Sequence, residues 1–298
     1  MAQNPPAQPA LNWTIVGQGA IGLLAASRLQ LANYPVRLWL KQGLSVDTQH
    51  LNQQLQFHQA TGKLDAVLIP VKSYAVVDAV HSLLPHLSPD AQLVLSHNGM
   101  GTIEQVLPLL QPRQGLWFLT TTHGALKQGS TIMHTGSGES VMAPLNTAAQ
   151  TQAVQVFQAM DCALGPLTLA ADITPFLWQK LAINAAINPL TALYNCRNGE
   201  LAQAEFQLII TAVLEEVCQV ADAAGVTLTL PKLKHKVQQV IGNTAQNYSS
   251  MQQDVAHQRR TEIDAINGFV VQQAQRYGIA VPHNNSLLQQ VRQLQPNH

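Results

Sequence analysis

Six residues near the start of the chain, Gly17-Gln18-Gly19-Ala20-Ile21-Gly22, restrict its fold more than any other stretch. They follow Trp13-Thr-Ile-Val, a short run suited to a strand, and lead into residues 23–33, whose apolar side chains recur at helical spacing. Val36-Arg-Leu-Trp-Leu40 then supplies a second strand. Strand, G-x-G-x-x-G, helix and strand within about 30 residues is the context in which such glycines hold a dinucleotide. Gly17 permits the tight turn, Gly19 lets the backbone approach a diphosphate, and Gly22 lets helix and strand pack closely. The N–H groups and positive dipole at the helix start favour the phosphates. On these residues alone, a glycine-rich turn that binds nothing stays open as the other reading.

The end of the second strand selects between cofactors. An acid there bonds a ribose 2′-hydroxyl and repels a 2′-phosphate. Here the strand ends Trp39-Leu40-Lys41, with no acid before Asp47, and a cation suits NADP; the alternative is a solvated lysine after a strand. Three more apolar runs, Ala66-Val-Leu-Ile-Pro-Val71, Leu93-Val-Leu-Ser96 and Leu116-Trp-Phe-Leu119, read as parallel strands covered on both faces. They end in Val71-Lys72-Ser73, in His97-Asn98-Gly99-Met100-Gly101-Thr102 and in Thr120-Thr-Thr-His123-Gly124-Ala125. Ligands of open α/β sheets lie beyond the carboxyl ends of strands, so these tips are expected to converge on the nicotinamide. Taken alone, Asn98-Gly99 reads first as a turn, because Asn-Gly favours positive φ.

From about Asp172 the pattern changes to long helical segments with no strand. Thr174-Pro175 is an N-cap and first-turn pair. The helix it opens carries Lys180, Asn184 and Asn188 at four-residue spacing. Each step turns a helix by about 400° and raises it by about 6 Å, so the three side chains form one polar stripe. Phe176, Leu177, Leu181, Ile183, Ile187 and Leu190 surround the stripe with apolar groups. A lysine buried there is costly unless something anionic or polar is bound. A hydrogen-bonded Lys–Asn seam between packed helices is the competing reading. Pro189 is expected to kink the helix or break it near Asn188.

Residues 200–224 form a periodic helix stopped by Gly225, and 237–257 form another helical stretch. Thr261-Glu262-Ile263-Asp264 has the form of a capping box, which predicts a helix from Thr261 to Tyr277-Gly278. Without a break before Thr261, Ser250 and Glu262 would stand about 18 Å apart on one helix. With the break, both can face one cleft. A first-turn position would also place Glu262 in a field that favours its carboxylate. Mere decoration of that turn is the alternative.

Composition excludes several classes of function. At 298 residues the chain has room for two domains: 11–171, read as NADP-binding, and 172–298, read as a helical substrate and catalytic domain. Sixteen basic residues balance sixteen acidic ones, which leaves no footprint for nucleic acid or an anionic membrane surface. Cys162, Cys196 and Cys218 lie far apart and read as reduced thiols of a cytoplasmic protein. The eleven histidines contain no H-E-x-x-H, so no metal is indicated. No apolar run reaches the ~18 residues of a membrane span. The first ten residues lack the basic and apolar regions of a signal peptide and read as a disordered leader.

To the glycine motif, the strand tips His97–Thr102 and Thr120–Ala125 and Lys180-Leu-Ala-Ile-Asn-Ala-Ala-Ile-Asn-Pro-Leu-Thr191 can be added Asn195-Cys-Arg-Asn-Gly-Glu-Leu201, Ser249-Ser-Met251 and Thr261-Glu-Ile-Asp-Ala-Ile-Asn-Gly268. Together they resemble the ketopantoate reductase (2-dehydropantoate 2-reductase) family, from Val16 to about Pro282. The resemblance implies an α/β Rossmann-type domain followed by an all-α domain like the C-terminal domain of 6-phosphogluconate dehydrogenase. It implies NADPH-dependent reduction of ketopantoate to (R)-pantoate in pantothenate biosynthesis, with a small-molecule partner only. It makes Lys180 the catalytic acid and has Glu262 close the site. It makes Asn98, Asn184, Asn188, Asn198 and Ser250 substrate contacts. Toward the cofactor it points to Gly17, Gln18, Gly19, Ala20, Ile21, Gly22, Lys41, Lys72, Asn98, Ala125 and Glu262. Lys41 stands where close relatives have arginine, which keeps the charge and loses a bidentate grip. The stretch between Lys41 and Asp65 is also shorter than the family pattern. Two rivals remain: another NADP-dependent 2-oxoacid or 3-hydroxyacid dehydrogenase, and a non-catalytic NADP sensor, for which an acid–base lysine has no use. Nothing in the sequence chooses between a monomer and a homodimer.

Overall fold

The computed structural model describes residues 11–295, so the expected leader lies outside the described residues. The chain divides into two compact units. One runs through His97 and resumes over Glu104–Ile173; the other holds Asn98–Ile103 and everything from Thr174. The hexapeptide Asn98–Ile103 therefore groups with the second unit, although the sequence gives no break there.

The first unit opens with β1 (Trp13–Val16), α1 (Ala20–Leu31) and β2 (Val36–Trp39), followed by β3 (Ser45–His50), β4 (Gln53–His58) and β5 (Leu64–Ile69). Then come α2 (Val76–Leu83), β6 (Leu87–Leu95), a single turn α3 (Ile103–Val106) and β7 (Gly115–Thr121). It closes with β8 (Gly124–Gln128), β9 (Thr131–Gly136), β10 (Ser140–Pro144), α4 (Thr147–Gln150), α5 (Ala153–Leu164) and β11 (Leu167–Leu169). Seven strands form one sheet in the order β11-β10-β7-β6-β5-β1-β2. The five from β2 to β7 are mutually parallel, and β10 runs antiparallel to β7. After β1 the chain turns to β2 on one side and later to β5 on the other. The carboxyl end of β1, where the glycines lie, is thus the topological switch point at which such sheets take ligands. β4-β3-β9-β8 make a second, four-stranded sheet, and α1 packs on β3, β8 and β9.

In the second unit the described residues from Thr174 onward form helices joined by turns and contain no strand. α6 (Thr174–Tyr194) is followed by α7 (Ala204–Ala223), α8 (Leu230–Asn243), α9 (Ser250–Ala256), α10 (Asn267–Tyr277) and α11 (Pro282–Gln293). α6 packs against α7, α8, α9 and α11, and Leu181, Ala185 and Leu190 bury its length in one core with Val213, Val237 and Leu287.

Three expectations change here. Of the kink or break expected at Pro189, the break does not occur: α6 runs through the proline for 21 residues. Proline removes the N–H that would bond the carbonyl four residues back. That carbonyl belongs to Ala185, and it accepts instead from Asn267 Nδ2 at 3.2 Å. The same nitrogen donates to Asn284 Oδ1 at 3.0 Å, and Asn284 donates in turn to Glu216 Oε2 at 2.8 Å. Glu216 also takes the backbone N–H groups of His283 and Asn284, at 2.8 and 2.9 Å, in the first turn of α11. One buried network therefore repairs α6 and caps α11.

The helical stretch expected over 237–257 is two helices, with Thr244 ending α8 and Ser249 capping α9. The helix expected from Thr261 begins at Asn267. Asp264, the supposed capping-box acid, is drawn to Arg292 Nη2 at 2.7 Å and to Arg260. The Ala265 carbonyl, which a helix from Thr261 would direct at residue 269, accepts from the Met100 N–H at 2.9 Å. Glu262 therefore stands in a turn ahead of α10, outside any helix-start field.

Asn267 is fully buried. Asn267→Leu is expected to cost about 2–3 kcal/mol of unfolding free energy, since it leaves two buried acceptors without a donor. In a Pro189→Ala background residue 189 regains its N–H, and the same change should cost clearly less. Equal costs in both backgrounds, measured by chemical denaturation, would contradict the repair.

Candidate active site

The cofactor-facing candidates lie on the first unit. Gly17 has φ +80°, and its N–H donates to the Trp39 carbonyl at 2.8 Å, fixing the turn out of β1. A Cβ on Gly22 would press on the Pro70 ring, so α1 approaches the sheet only with glycine there. Gly19 is exposed, and a Cβ on it would meet nothing within 4 Å. It is the N-cap of α1 and supplies no side chain to the first-turn N–H groups. A loop with these properties presents backbone donors to an anion. Ala20 and Ile21 are half-buried at the start of α1, and Lys41 is exposed just past β2. Lys72 precedes a 3-10 turn at Ser73–Ala75, and Ala125 lies on β8.

Sequence reasoning missed one side chain on this loop. Lys127 of β8 donates to the Gln18 carbonyl at 3.3 Å and to Gln18 Oε1 at 3.1 Å. No local signal announces that contact, because it depends on how the second sheet packs against α1.

His123, in one of the strand tips expected near nicotinamide, is instead buried in a relay. Its Nδ1 accepts from the Gly138 N–H at 3.1 Å, so the ring proton sits on Nε2, which donates to the Leu164 carbonyl at 3.1 Å. His134 Nε2 lies 2.9 Å from that same Nδ1 and must donate to it. His134 Nδ1 then accepts from Arg28 Nη2 at 3.1 Å. Burial, then the charge of Arg28, then His123, hold the His134 pKa below its usual value, with His50 adding to them against a raising bond at Gly136.

The substrate-facing candidates lie on the second unit. Lys180, Asn184 and Asn188 follow one another along α6, as the spacing requires. Burial lowers the Lys180 pKa from 10.5 to about 8, and the Glu262 carboxylate opposes that shift. Glu262 is only 5% exposed and accepts from Asn98 Nδ2 at 3.2 Å. Asn98 reaches it because its hexapeptide is stitched to the turn before α10. Gly99, at φ +79°, lies so close to Ala265 that any Cβ would overlap its carbonyl, and Gly101, at φ +101°, faces the Phe269 ring. Asn98-Gly99 is a turn, and it also brings the Asn98 amide to the Glu262 carboxylate.

Asn184 and Asn188 have no side-chain hydrogen bond to other described residues, so their amides are available. Ser250 is exposed at the first position of α9. Its neighbour Ser249 accepts from Thr191 Oγ1 at 2.7 Å and from the Gln252 N–H at 3.0 Å, fastening the start of α9 to α6. Asn198 is buried; its Nδ2 donates to Thr244 Oγ1 at 2.8 Å and its Oδ1 has no partner among the described residues. The structure thus joins Asn98, Glu262 and Lys180, carries the two asparagines on the helix of Lys180, and leaves Asn198 tied to the end of α8. Chemically, the group offers a desolvated ammonium able to release a proton, an acceptor carboxylate and several amide donors.

The profile described as "Ketopantoate reductase PanE/ApbA" matches residues 13–147, and "Ketopantoate reductase PanE/ApbA C terminal" matches 172–295. The chain belongs to the ketopantoate reductase family. It is 41% identical to the 2-dehydropantoate 2-reductase of Vibrio cholerae, over 96% of this chain and 98% of that one. Against the 2-dehydropantoate 2-reductase of Salmonella typhimurium it is 36% identical, over 94% of this chain and 93% of the relative. Among solved structures, the PanE/ApbA family ketopantoate reductase of Ralstonia eutropha superposes with a TM-score of 0.83 at 27% identity, covering 95% of this chain and 98% of that one. Membership gives the oxidoreductase class and the two-part plan of a parallel-sheet α/β domain and a helical domain. Among the described residues no helix is long and apolar enough to cross a membrane.

The histidine relay carries a pH prediction. With its folded pKa lowered, His134 binds fewer protons in the native than in the unfolded chain at any pH below the free value near ~6.5. Unfolding free energy should therefore be full above pH ~6.5 and fall as the pH drops below it. Denaturation midpoints across this range should show that slope, and His134→Gln should make it shallower. A slope unaltered by the substitution would contradict the assignment.

Proposed function

We propose that this ketopantoate reductase is an NADPH-dependent 2-dehydropantoate 2-reductase that makes (R)-pantoate for pantothenate synthesis. The observation that carries the reading furthest is the Lys180–Glu262–Asn98 group, in a chain whose relatives carry that name over nearly their whole length. The loop at the end of β1 suits a dinucleotide: Gly17 takes a conformation other residues resist, Gly19 opens onto unfilled space, and α1 has no side-chain cap. In this reading residues 17–22, Lys72 and Ala125 hold the cofactor, and Lys41 meets the 2′-phosphate. NADPH bound there supplies the hydride.

The protein groups do the rest. As charge grows on the ketone oxygen, the Lys180 ammonium stabilises it and donates a proton. Burial and Glu262 divide the work: the carboxylate keeps Lys180 charged before reaction, and the apolar surroundings favour the neutral amine afterwards. Asn184, Asn188 and Ser250 donate to the substrate carboxylate. Asn98 holds one oxygen of Glu262, and the carboxylate accepts from the substrate hydroxyl at the end away from its own charge. Three separated free cysteines fit a reducing, cytoplasmic setting. Following NADPH absorbance with ketopantoate, NADH and a panel of 2-oxoacids tests the reading. It requires ketopantoate with NADPH to be the preferred pair, and indifference to either partner would contradict it.

Lys180→Ala should lower kcat by about 10²–10⁴-fold, the usual loss for a positioned acid. In the unmutated enzyme kcat/KM should hold level up to the Lys180 pKa of about 8 and decline above it. Activity that rises through that range would assign the proton to another group.

Assayed at a pH low enough to keep Lys180 protonated without the carboxylate, Glu262→Ala should raise KM for ketopantoate strongly and scarcely alter KM for a 2-oxoacid that lacks the hydroxyl, because the substrate hydroxyl loses its acceptor, a loss of about 1–3 kcal/mol. If KM for both substrates rises by one factor, Glu262 does not read the substrate hydroxyl.

A further inference from the structure

We infer that Lys127 is a cofactor residue, its ammonium bonding a diphosphate oxygen of the nicotinamide dinucleotide beside the glycine-rich loop; this rests on the dinucleotide reading of residues 17–22. The loop Gly17-Gln-Gly-Ala-Ile-Gly22 has no charged side chain of its own. A dinucleotide diphosphate brings two negative charges, and a helix start offsets only about half of one. A cation is therefore expected at this loop from elsewhere in the unit.

Lys127 meets that requirement on three grounds. β8 is an edge strand of the four-stranded sheet and packs against α1, so its side chains can reach the start of that helix. Residues two apart on a strand share a face, which puts Lys127 on the face of Ala125, a residue already assigned to the cofactor. Its ammonium is anchored on the loop itself, at 3.3 Å from the Gln18 carbonyl and 3.1 Å from Gln18 Oε1. An ammonium has three donors. Gln18 takes two, and the third is the one assigned to phosphate. No carboxylate among the described residues pairs with Lys127, so a strongly hydrated cation is held by two neutral oxygens on a loop built for anions. Because the side chain is already fixed there, little ordering remains to oppose binding.

The test is direct binding to the full chain, followed by fluorescence, with NADPH, NADH and adenosine 2′-monophosphate as probes. Lys127→Met should weaken NADPH and NADH by the same factor, about tenfold for one charge-assisted hydrogen bond. Adenosine 2′-monophosphate lacks the diphosphate and should bind as before. Lys127→Arg should recover most of the affinity. Thermal melts of both variants check that the unit remains folded, as expected for a part-exposed side chain. The inference fails if NADPH affinity is unchanged. It fails if the loss is confined to NADPH, which would put Lys127 on the 2′-phosphate. It fails too if all three probes lose equally, which would make Lys127 a structural strut for the loop. If the unmutated chain binds neither dinucleotide, the cofactor reading itself is wrong.

Discussion

An ammonium desolvated by burial beside the buried Glu262 carboxylate is the constraint on which the helical unit depends. Burial alone would drive Lys180 toward the neutral amine, and Glu262 alone would hold its proton too firmly for transfer. Their opposition leaves the pKa at about 8, near the range in which a proton can be both kept and released. That balance is sensitive to distance, because an interaction in a poorly solvated site changes steeply as charges separate. The fold must therefore fix the turn carrying Glu262 relative to α6.

Several features supply that rigidity. The Ala265 carbonyl is bonded to Met100, Gly99 lies against it with no room for a side chain, and Asp264 is tied to Arg292 of α11. The same commitments delay the start of α10 and leave Glu262 in a turn. On the other side, Asn267 bonds the carbonyl that Pro189 leaves without an N–H, and α6 continues unbroken past Asn188. Asn267 opens α10, the helix that follows the Glu262 turn. The residue that repairs one element is thus anchored in the other.

The division between what the sequence reveals and what it hides follows the range of the forces involved. The β1–α1–β2 unit is legible because turn, helix and strands are specified by neighbouring residues, and the parallel strands are legible because both faces are apolar. The β3–β4 hairpin is not. Its inward positions mix apolar Val46, Leu55 and Phe57 with polar Thr48 and His50, so the alternation is blurred, and its turn sets Leu51 and Asn52 at φ 48° and 61° with no glycine to signal it. The Lys180–Asn184–Asn188 stripe is visible through its period alone. Asn98 and Glu262, 164 residues apart, are brought together by packing that no local pattern encodes. Pro189 and the Thr261 capping box show local rules giving way to distant partners, Asn267 in one case and Arg292 in the other. Lys127 is hidden for the same reason.

The central claim is that burial and Glu262 jointly set the Lys180 ammonium. It is tested most directly by observing that ammonium by NMR, with the carbon next to the lysine nitrogen isotopically labelled, across a pH titration of the full chain and of Glu262→Gln. The account predicts a midpoint at about 8 in the unmutated protein and a lower one in Glu262→Gln, where burial acts unopposed. A Lys180 midpoint at the ordinary value of 10.5, or one that does not move when the carboxylate is removed, would contradict it.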